Sequence, residues 1–176
     1  VGAAPSLPLS YVEAIDGVAI GASTGSCGTA AFIKERVIVS DIQQSPLWAD
    51  YKDIAEKANL GSCWSEPIFN NAQEVLGTFA MSHHGIYTPT KNEIDTIVSA
   101  AQLAALAIER KAANTKLRES EERHRLLFEH SRDALVTSNA KTLHKFTAVN
   151  KAAVMLFGVD SEETLLTLNP VNLSPQ

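Results

Sequence analysis

The sequence predicts an α+β fold, with an antiparallel sheet flanked by helices, then one long helix and a smaller α/β segment. Three short β-branched or alternating runs, separated by polar turns, lie in the first half of the chain. After them, residues 91–133 contain neither proline nor glycine, which favours a single long helix.

The first elements are short. Leu9–Ile15 has apolar residues on one side of a helix, and after a glycine-rich loop Thr29–Lys34 can form one or two helical turns. Arg36–Ser40 is a β-branched run and predicts a strand. Trp48–Ala58 has helical spacing, and Asn59–Gly61 should end that helix, as glycine often does.

The next two runs predict a β-hairpin. Ser62–Phe69 and Val75–His84 are strand-like, and the polar residues Asn70–Glu74 between them predict a tight turn. Pro67 has no backbone N–H to donate, so the first of these strands should be an edge strand or carry a bulge.

The long helix has a clear start. Thr90 and Glu93 form the pattern of a capping box, followed by apolar residues at a spacing of three to four. The stripe weakens over Glu109–Lys116 and resumes at Leu117. We therefore expect a homodimer through the Thr90–His130 helix, as a parallel coiled coil.

The last part changes character. Ala134–Ser138 and Lys145–Val149 predict strands, and Lys151–Phe157 predicts a helix that Gly158 ends. Ser161 should cap a further helix that has two acidic residues in its first turn.

Composition excludes several classes of function. The net charge is −5 and no run of basic residues is present, which argues against nucleic acid as a partner. No apolar run reaches the ~18 residues that would span a bilayer, and no signal peptide is visible, so we expect a cytoplasmic protein. Cys27 and Cys63 are too few for a disulfide scaffold, which leaves reduced core or pocket residues, or a redox or covalent-adduct role.

Residues 1–110 resemble a known sensor domain. The strings GVAIGASTGSCGTAAF, VIVSDIQQSPLWADY, CWSEPIF and VLGTFAMSHHGIYTPTKNEID occur in that order. They resemble the C-terminal two thirds of GAF domains, most closely those of bacterial sensor histidine kinases and diguanylate cyclases. The family's domain usually opens with a helix and two strands, which would come before Val1. We expect a second chain to cover that part of the sheet by dimerisation or strand exchange.

The rest of the chain resembles a second sensor family. RESEERHRLLFEHSRDALV and KFTAVNKAAVMLFGVDSEETLL resemble the entry of PAS domains. The predicted organisation is thus a GAF domain over 1–110, a signalling linker helix over 111–131 and the N-terminal part of a PAS domain over 132–176. No haem, flavin or other cofactor is predicted.

These resemblances imply an input segment of a bacterial signal-transduction protein, a sensor histidine kinase or a cyclic-di-GMP enzyme, that is not an enzyme in its own right. The GAF part would sense an unknown small molecule or dimerise, and downstream PAS and output domains of the same protein would receive the signal. Asp41 and Glu66 could instead cap a turn or form a surface ion pair. The predicted ligand-pocket residues are Cys27, Gly28, Asp41, Trp48, Tyr51, Cys63, Trp64, Glu66 and Phe79.

Two alternatives differ in kind. Cys27 lies in a segment similar to that of GAF-type free methionine sulfoxide reductases, but those enzymes need a cysteine in the loop before the next strand, and WADYKDIAEKAN has none. The other alternative is a dimerisation module without a ligand. No metal site is predicted, because His83 and His84 are neighbours on a strand and must face opposite sides.

Overall fold

The computed structural model describes residues 2–139 and 145–168. Its contacts divide the chain into two compact units, Val1–Ala112 and Ala113–Gln176. Parts of the predicted PAS segment, at 140–144 and 169–176, lie outside the described residues. In the part of the chain that is described, no helix is both long and apolar enough to cross a bilayer.

The first unit has helices on a three-stranded sheet, and the α+β prediction is confirmed. In chain order its elements are α1 (Leu9–Ile15), α2 (Gly25–Ile33), β1 (Val37–Val39), a 3-10 helix (Pro46–Tyr51), α3 (Lys52–Lys57), β2 (Ser62–Phe69), β3 (Val75–His83) and the start of α4 (Lys91–His130).

The sheet is antiparallel, in the order β1–β2–β3. Cys63 of β2 pairs with Val39 of β1 on one side and with Ser82 of β3 on the other. Paired residues point to the same face of a sheet and neighbours along a strand point to opposite faces. The main core lies on the face of Cys63, where α1, α2 and the segment around Trp48 cover it.

Helix α2 begins four residues earlier than predicted. The glycine-rich segment, predicted as a loop, forms the first turn of α2 from Gly25. Isolated sequence GSCG is a poor helix former, but here tertiary packing compensates, because Gly25, Ser26, Thr29 and Ala30 are all buried. Small residues allow this helix to lie close to its neighbours.

Pro67 lies in the central strand, and the reason is the shortness of β1. The pairing of β1 covers only Cys63–Ser65 of β2, so β2 has lost that neighbour by the time it reaches Pro67. The predicted irregularity is also present, since the register with β3 shifts between Ile68 and Phe69. The hairpin turn is held by Asn70, whose Oδ1 accepts hydrogen bonds from the N–H groups of Ala72 and Glu74, at 2.9 and 2.8 Å.

Helix α3 ends within the predicted segment Asn59–Gly61, although Asn59 and not the glycine takes the left-handed conformation. Asn59, at φ 55°, adopts the left-handed conformation that ends α3. Gly61 serves close packing, because its N–H donates to the His83 carbonyl at 2.8 Å and its own carbonyl accepts from the Ile42 N–H at 2.9 Å. A Cβ at this position would lie 2.5 Å from the carbonyl carbon of Gly85.

The capping box of α4 is confirmed. Glu93 accepts hydrogen bonds from the N–H of Thr90 at 2.7 Å and from its hydroxyl at 2.8 Å. The Thr90 hydroxyl in turn accepts from the Glu93 N–H at 3.4 Å. These bonds hold the pKa of Glu93 below its usual value, the bond from the Thr90 backbone being the largest cause.

The second unit contains a two-stranded antiparallel sheet with two short helices. After the end of α4 come β4 (Val136–Ser138), β5 (Phe146–Val149), α5 (Lys151–Phe157) and α6 (Glu162–Thr167). Ser161 caps α6 as predicted, accepting from the Thr164 N–H at 3.1 Å. Val149, Ala153 and Leu165 form its core.

Asn150, which is fully buried, joins three parts of this second unit through four side-chain hydrogen bonds. Its side-chain oxygen accepts from the N–H groups of Leu135 and Ala153, both at 2.9 Å. Its amide nitrogen donates to the carbonyls of Phe128 and Asp133, also both at 2.9 Å. One side chain thus connects the last turn of α4, the approach to β4 and the start of α5.

Candidate functional site

The predicted pocket residues do not form one cluster, because β2 divides them between two faces of the sheet. Cys63 and Ser65 point to one face, which we call the thiol face. Trp64 and Glu66 point to the other, which we call the aromatic face.

The thiol face brings the two cysteines together. Cys27, in the first turn of α2, is exposed, and Cys63, on β2, is buried. The neighbouring Cys63 thiol is the largest cause that lowers the pKa of Cys27, to about 6, while desolvation by the surrounding protein opposes the shift. The neighbouring Cys27 thiol, together with burial, raises the pKa of Cys63 well above its usual value.

Two hydroxyl groups complete the surroundings of the Cys27 sulfur. The side chains of Ser65 and Thr78 also lower the pKa of Cys27. Ser65 is fully buried, and among the described residues its hydroxyl has no hydrogen-bond partner. Because the pKa of Cys27 is lowered to about 6, its thiolate is favoured at neutral pH.

Ser26 fixes the cysteine-bearing turn against the sheet. Its hydroxyl donates to the Cys63 carbonyl at 3.1 Å and accepts from the indole Nε1 of Trp48, also at 3.1 Å. Ser26 and Trp48 are both buried. The residue next to Cys27 is thus hydrogen-bonded to the backbone of Cys63 itself.

Tyr11 brings a third element to the same place. It is buried in the core that includes Cys63. Its pKa is raised, first by burial and then by the proximity of Cys63 and Cys27. The phenol is therefore neutral at physiological pH and adds no charge to the thiol face.

The aromatic face carries a stack of three rings. The ring of His83 lies 5.3 Å from that of Trp64 and 4.4 Å from that of Tyr87, centroid to centroid, and each pair is stacked. Trp64 is fully buried, and its Nε1 has no hydrogen-bond partner in the described part of the protein. Tyr87 donates to Glu93 at 3.0 Å, so this stack connects the sheet to the cap of α4.

The remaining predicted residues have other partners. Asp41 accepts from the N–H of Gln43 at 2.9 Å and so caps a turn, and Glu66 pairs with Arg36; both outcomes were considered from the sequence. Tyr51 packs against the edge of the core, and Phe79 is partly exposed on the aromatic face. Gly28 lies where a Cβ would approach Thr24 Cβ to 2.7 Å.

Metal chemistry finds no support in these residues. Within residues 2–139 and 145–168, no group of three or more His, Cys, Asp or Glu side chains could hold an ion. His84 interacts through Nδ1 with the carbonyl oxygen of Asn59 at 2.7 Å, away from His83, which belongs to the aromatic stack.

Sequence reasoning missed Tyr11, Ser26, Ser65 and Thr78. Ser65 could have been found, because strand alternation from Cys63 places it on the same face. Ser26 and Thr78 depend on which face of the sheet α2 covers, and Tyr11 depends on how α1 returns to that face. No local pattern carries that information.

Comparison with known proteins agrees with this architecture. The GAF domain family matches residues 4–109, so the chain belongs to that family. The Methyl sulfide methyltransferase-associated sensor of Methanosarcina acetivorans is 37% identical over 164 residues; the match covers 93% of this chain but only 16% of that protein.

Two solved structures are also similar. A domain of a two-component sensor histidine kinase protein from Sinorhizobium meliloti has a TM-score of 0.55 at 17% identity, over 66% of this chain and 74% of that one, which supports the fold alone. The reduced form of fRMsr of Staphylococcus aureus is 25% identical over 49% of this chain and 53% of that one. Its TM-score of 0.38 is too low to support an argument.

Proposed function

We propose that this chain is a sensory input segment of a larger signal-transduction protein. The observation that carries the proposal is the GAF family match over residues 4–109, together with a relative that is itself a sensor and is similar over nearly the whole chain. A thiol face with a perturbed cysteine gives the segment a place where a small molecule or a chemical change could act.

The output belongs to other parts of the protein in this proposal. The chain spans 16% of the length of its curated relative, which leaves room for further domains in a protein of that kind. A histidine kinase or a cyclic-di-GMP enzyme is the output we propose, and residues 132–176 would form the N-terminal part of a PAS domain. The β4–β5 hairpin followed by α5 and α6 is compatible with that order of elements.

A homodimer through α4 would transmit the signal. Five leucines of α4 are more than half exposed, and the spacing of four of them fits the seam positions of a heptad repeat. Exposed leucines at such positions are stabilised when a second helix covers them. The seam leucines are Leu103, Leu106, Leu117 and Leu127.

The two states of this dimer would differ in the packing of α4. A ligand or modification on the GAF unit can shift such an equilibrium only if it favours one packing over the other. Both cysteines are free thiols, which suits a reducing compartment and supports the cytoplasm as the proposed location.

The test is to change the phase of the helix in the parent protein. We would insert one to seven alanines after Ala113, within the polar middle of α4, and measure output as autophosphorylation or cyclic-di-GMP turnover. We expect output to change with one to four inserted residues and to return with seven, because seven residues restore the heptad phase. Output that is the same for every insertion length would refute transmission through α4.

A further inference from the structure

We propose that residues 113–127 of α4 pair with the same residues of a second copy of the chain, in parallel and in register, so that Lys116 of each copy lies against Glu121 of the other. The inference rests on the proposed dimer through α4. It adds the direction of the two helices, their register and a residue pair that specifies both.

The first support is the exposure of this part of the helix. Within the residues that the structure describes, none from Ala113 to Leu127 is buried or half-buried. Helices in folded proteins gain most of their stability from packing one face, and not from intrinsic propensity. The ion pair between Arg125 and Glu122 is exposed, at 4.0 Å, and such pairs add little. Roughly 22 Å of helix therefore has a face that a second helix can cover.

The second support is the pattern of the seam. With Leu103 at position a of a heptad lettered a to g, Leu117 falls at a and Leu127 at d. Ser120 and His124 occupy the seam positions between them, so in register each leucine meets a leucine and each polar side chain meets its own copy. A shift by one heptad would place Leu117 against His124. Polar residues in the seam thus specify the register, at a cost in stability.

The third support is the charge beside the seam. In a parallel pair, a residue at position g lies near the residue five positions later, at e, of the other helix. Lys116 is at g and Glu121 at e, so opposite charges meet twice, once on each side of the seam. Arg110, at the preceding a position, has a long side chain that can reach out of the seam into water.

The neighbouring heptads do not oppose this arrangement. Their g–e pairs each combine one charged residue with an uncharged one, so no like charges meet at these positions. The pairs are Glu109 with Asn114 and Arg123 with Phe128.

The experiment measures dimerisation of the full chain by analytical ultracentrifugation. We expect Lys116→Glu and Glu121→Lys each to raise the Kd of the dimer about tenfold, because each turns two attractive pairs into repulsive ones. The double variant restores opposite charges and should return to within about threefold of wild type. The matched control Glu122→Lys makes the same charge change at position f, away from the seam, and should leave the Kd within about threefold.

Mixing the two single variants gives a sharper test. A chain with Lys116→Glu has only acidic side chains at the two positions, and a chain with Glu121→Lys has only basic ones. The mixed dimer therefore regains every opposite-charge contact. Native mass spectrometry of an equal mixture, with one chain isotopically labelled, should show mixed dimers in excess of the half expected from random pairing. Random pairing would contradict the assigned contact.

The dimer and its register can fail separately. A wild-type chain that stays monomeric at every concentration measured would overturn both the register and the dimer through α4. A dimer with the same Kd in wild type, Lys116→Glu and Glu121→Lys would overturn the register and leave the dimer in place. A double variant as weak as the single variants would also overturn the register. Circular dichroism checks that each variant keeps its helix content.

Discussion

Ser26 links α2 both to the sheet and to Trp48. One hydroxyl serves two buried partners, since it donates to the Cys63 carbonyl and accepts from the indole of Trp48. Buried polar groups cost free energy when they lose their partners, so a single small side chain stabilises the contact of α2 with the sheet.

Replacing Ser26 with alanine should therefore destabilise the first unit. We expect Ser26→Ala to lower the free energy of unfolding by about 1–3 kcal/mol, because the Trp48 Nε1 and the Cys63 carbonyl would both lose a partner. Urea denaturation followed by tryptophan fluorescence measures it. Ser99→Ala, at an exposed position of α4, is the control and should stay within about 0.5 kcal/mol of wild type.

The sequence alone was sufficient to predict that the pocket residues of β2 lie on two faces of the sheet. Cys63 and Trp64 are neighbours on one strand, so the period of two already predicts that they face opposite sides. A single pocket that contains both side chains was inconsistent with that period. The hydrogen bond between Ser26 and the Cys63 carbonyl could not be predicted in this way, because it depends on the packing of α2 against the sheet.

Element boundaries set by local interactions were predicted correctly, and one that is set by tertiary packing was missed. Caps were predicted correctly at Thr90, Gly158 and Ser161, because each acts within three or four residues of its own position. The start of α2 was missed because burial against β2 and Trp48, and not local propensity, makes GSCG helical. Caps that depend on nearby residues can be predicted from a sequence. A helix start that depends on burial against distant elements cannot.

The contact between Gly61 and Gly85 sets how β2 begins. We expect Gly61→Ala to lower the free energy of unfolding by about 1–3 kcal/mol, because its Cβ would meet backbone that cannot rotate away. Thermal or urea unfolding provides the measurement. Gly77→Ala, where a Cβ has no neighbour within 4 Å, should remain within about 1 kcal/mol of wild type; equal losses in the two variants would contradict this explanation.

At the scale of the whole molecule, the two units have separate cores, and each should respond to its own substitutions. The core of the first unit includes Trp48 and Cys63, and that of the second is built on Val149, Ala153 and Leu165. Effects of substitutions at distant sites without shared partners usually add. The GAF resemblance was sufficient to predict the first unit, whereas the order of elements in the second was predicted from its strand pattern and caps.

Asn150 offers the test of that separation. Asn150→Ala removes four hydrogen bonds of a buried side chain and should cost the second unit about 3 kcal/mol. Hydrogen exchange should lose protection over 134–139 and 145–168, while the alkylation of Cys27 should not change. The exposed residue Asn114 provides the control Asn114→Ala, and a comparable loss of protection in β2 and β3 of the Asn150 variant would argue against separate units.

The hydrogen bonds of Asn150 also bear on the order in which the protein folds. They join residues separated by 15, 17 and 22 positions, whereas the Ser26–Cys63 bond closes a separation of 37. Folding rates fall as the contacts that must form become less local. The contacts of Asn150 are therefore expected to form early, and the Ser26–Cys63 hydrogen bond belongs to the slower collapse of α2 onto the sheet.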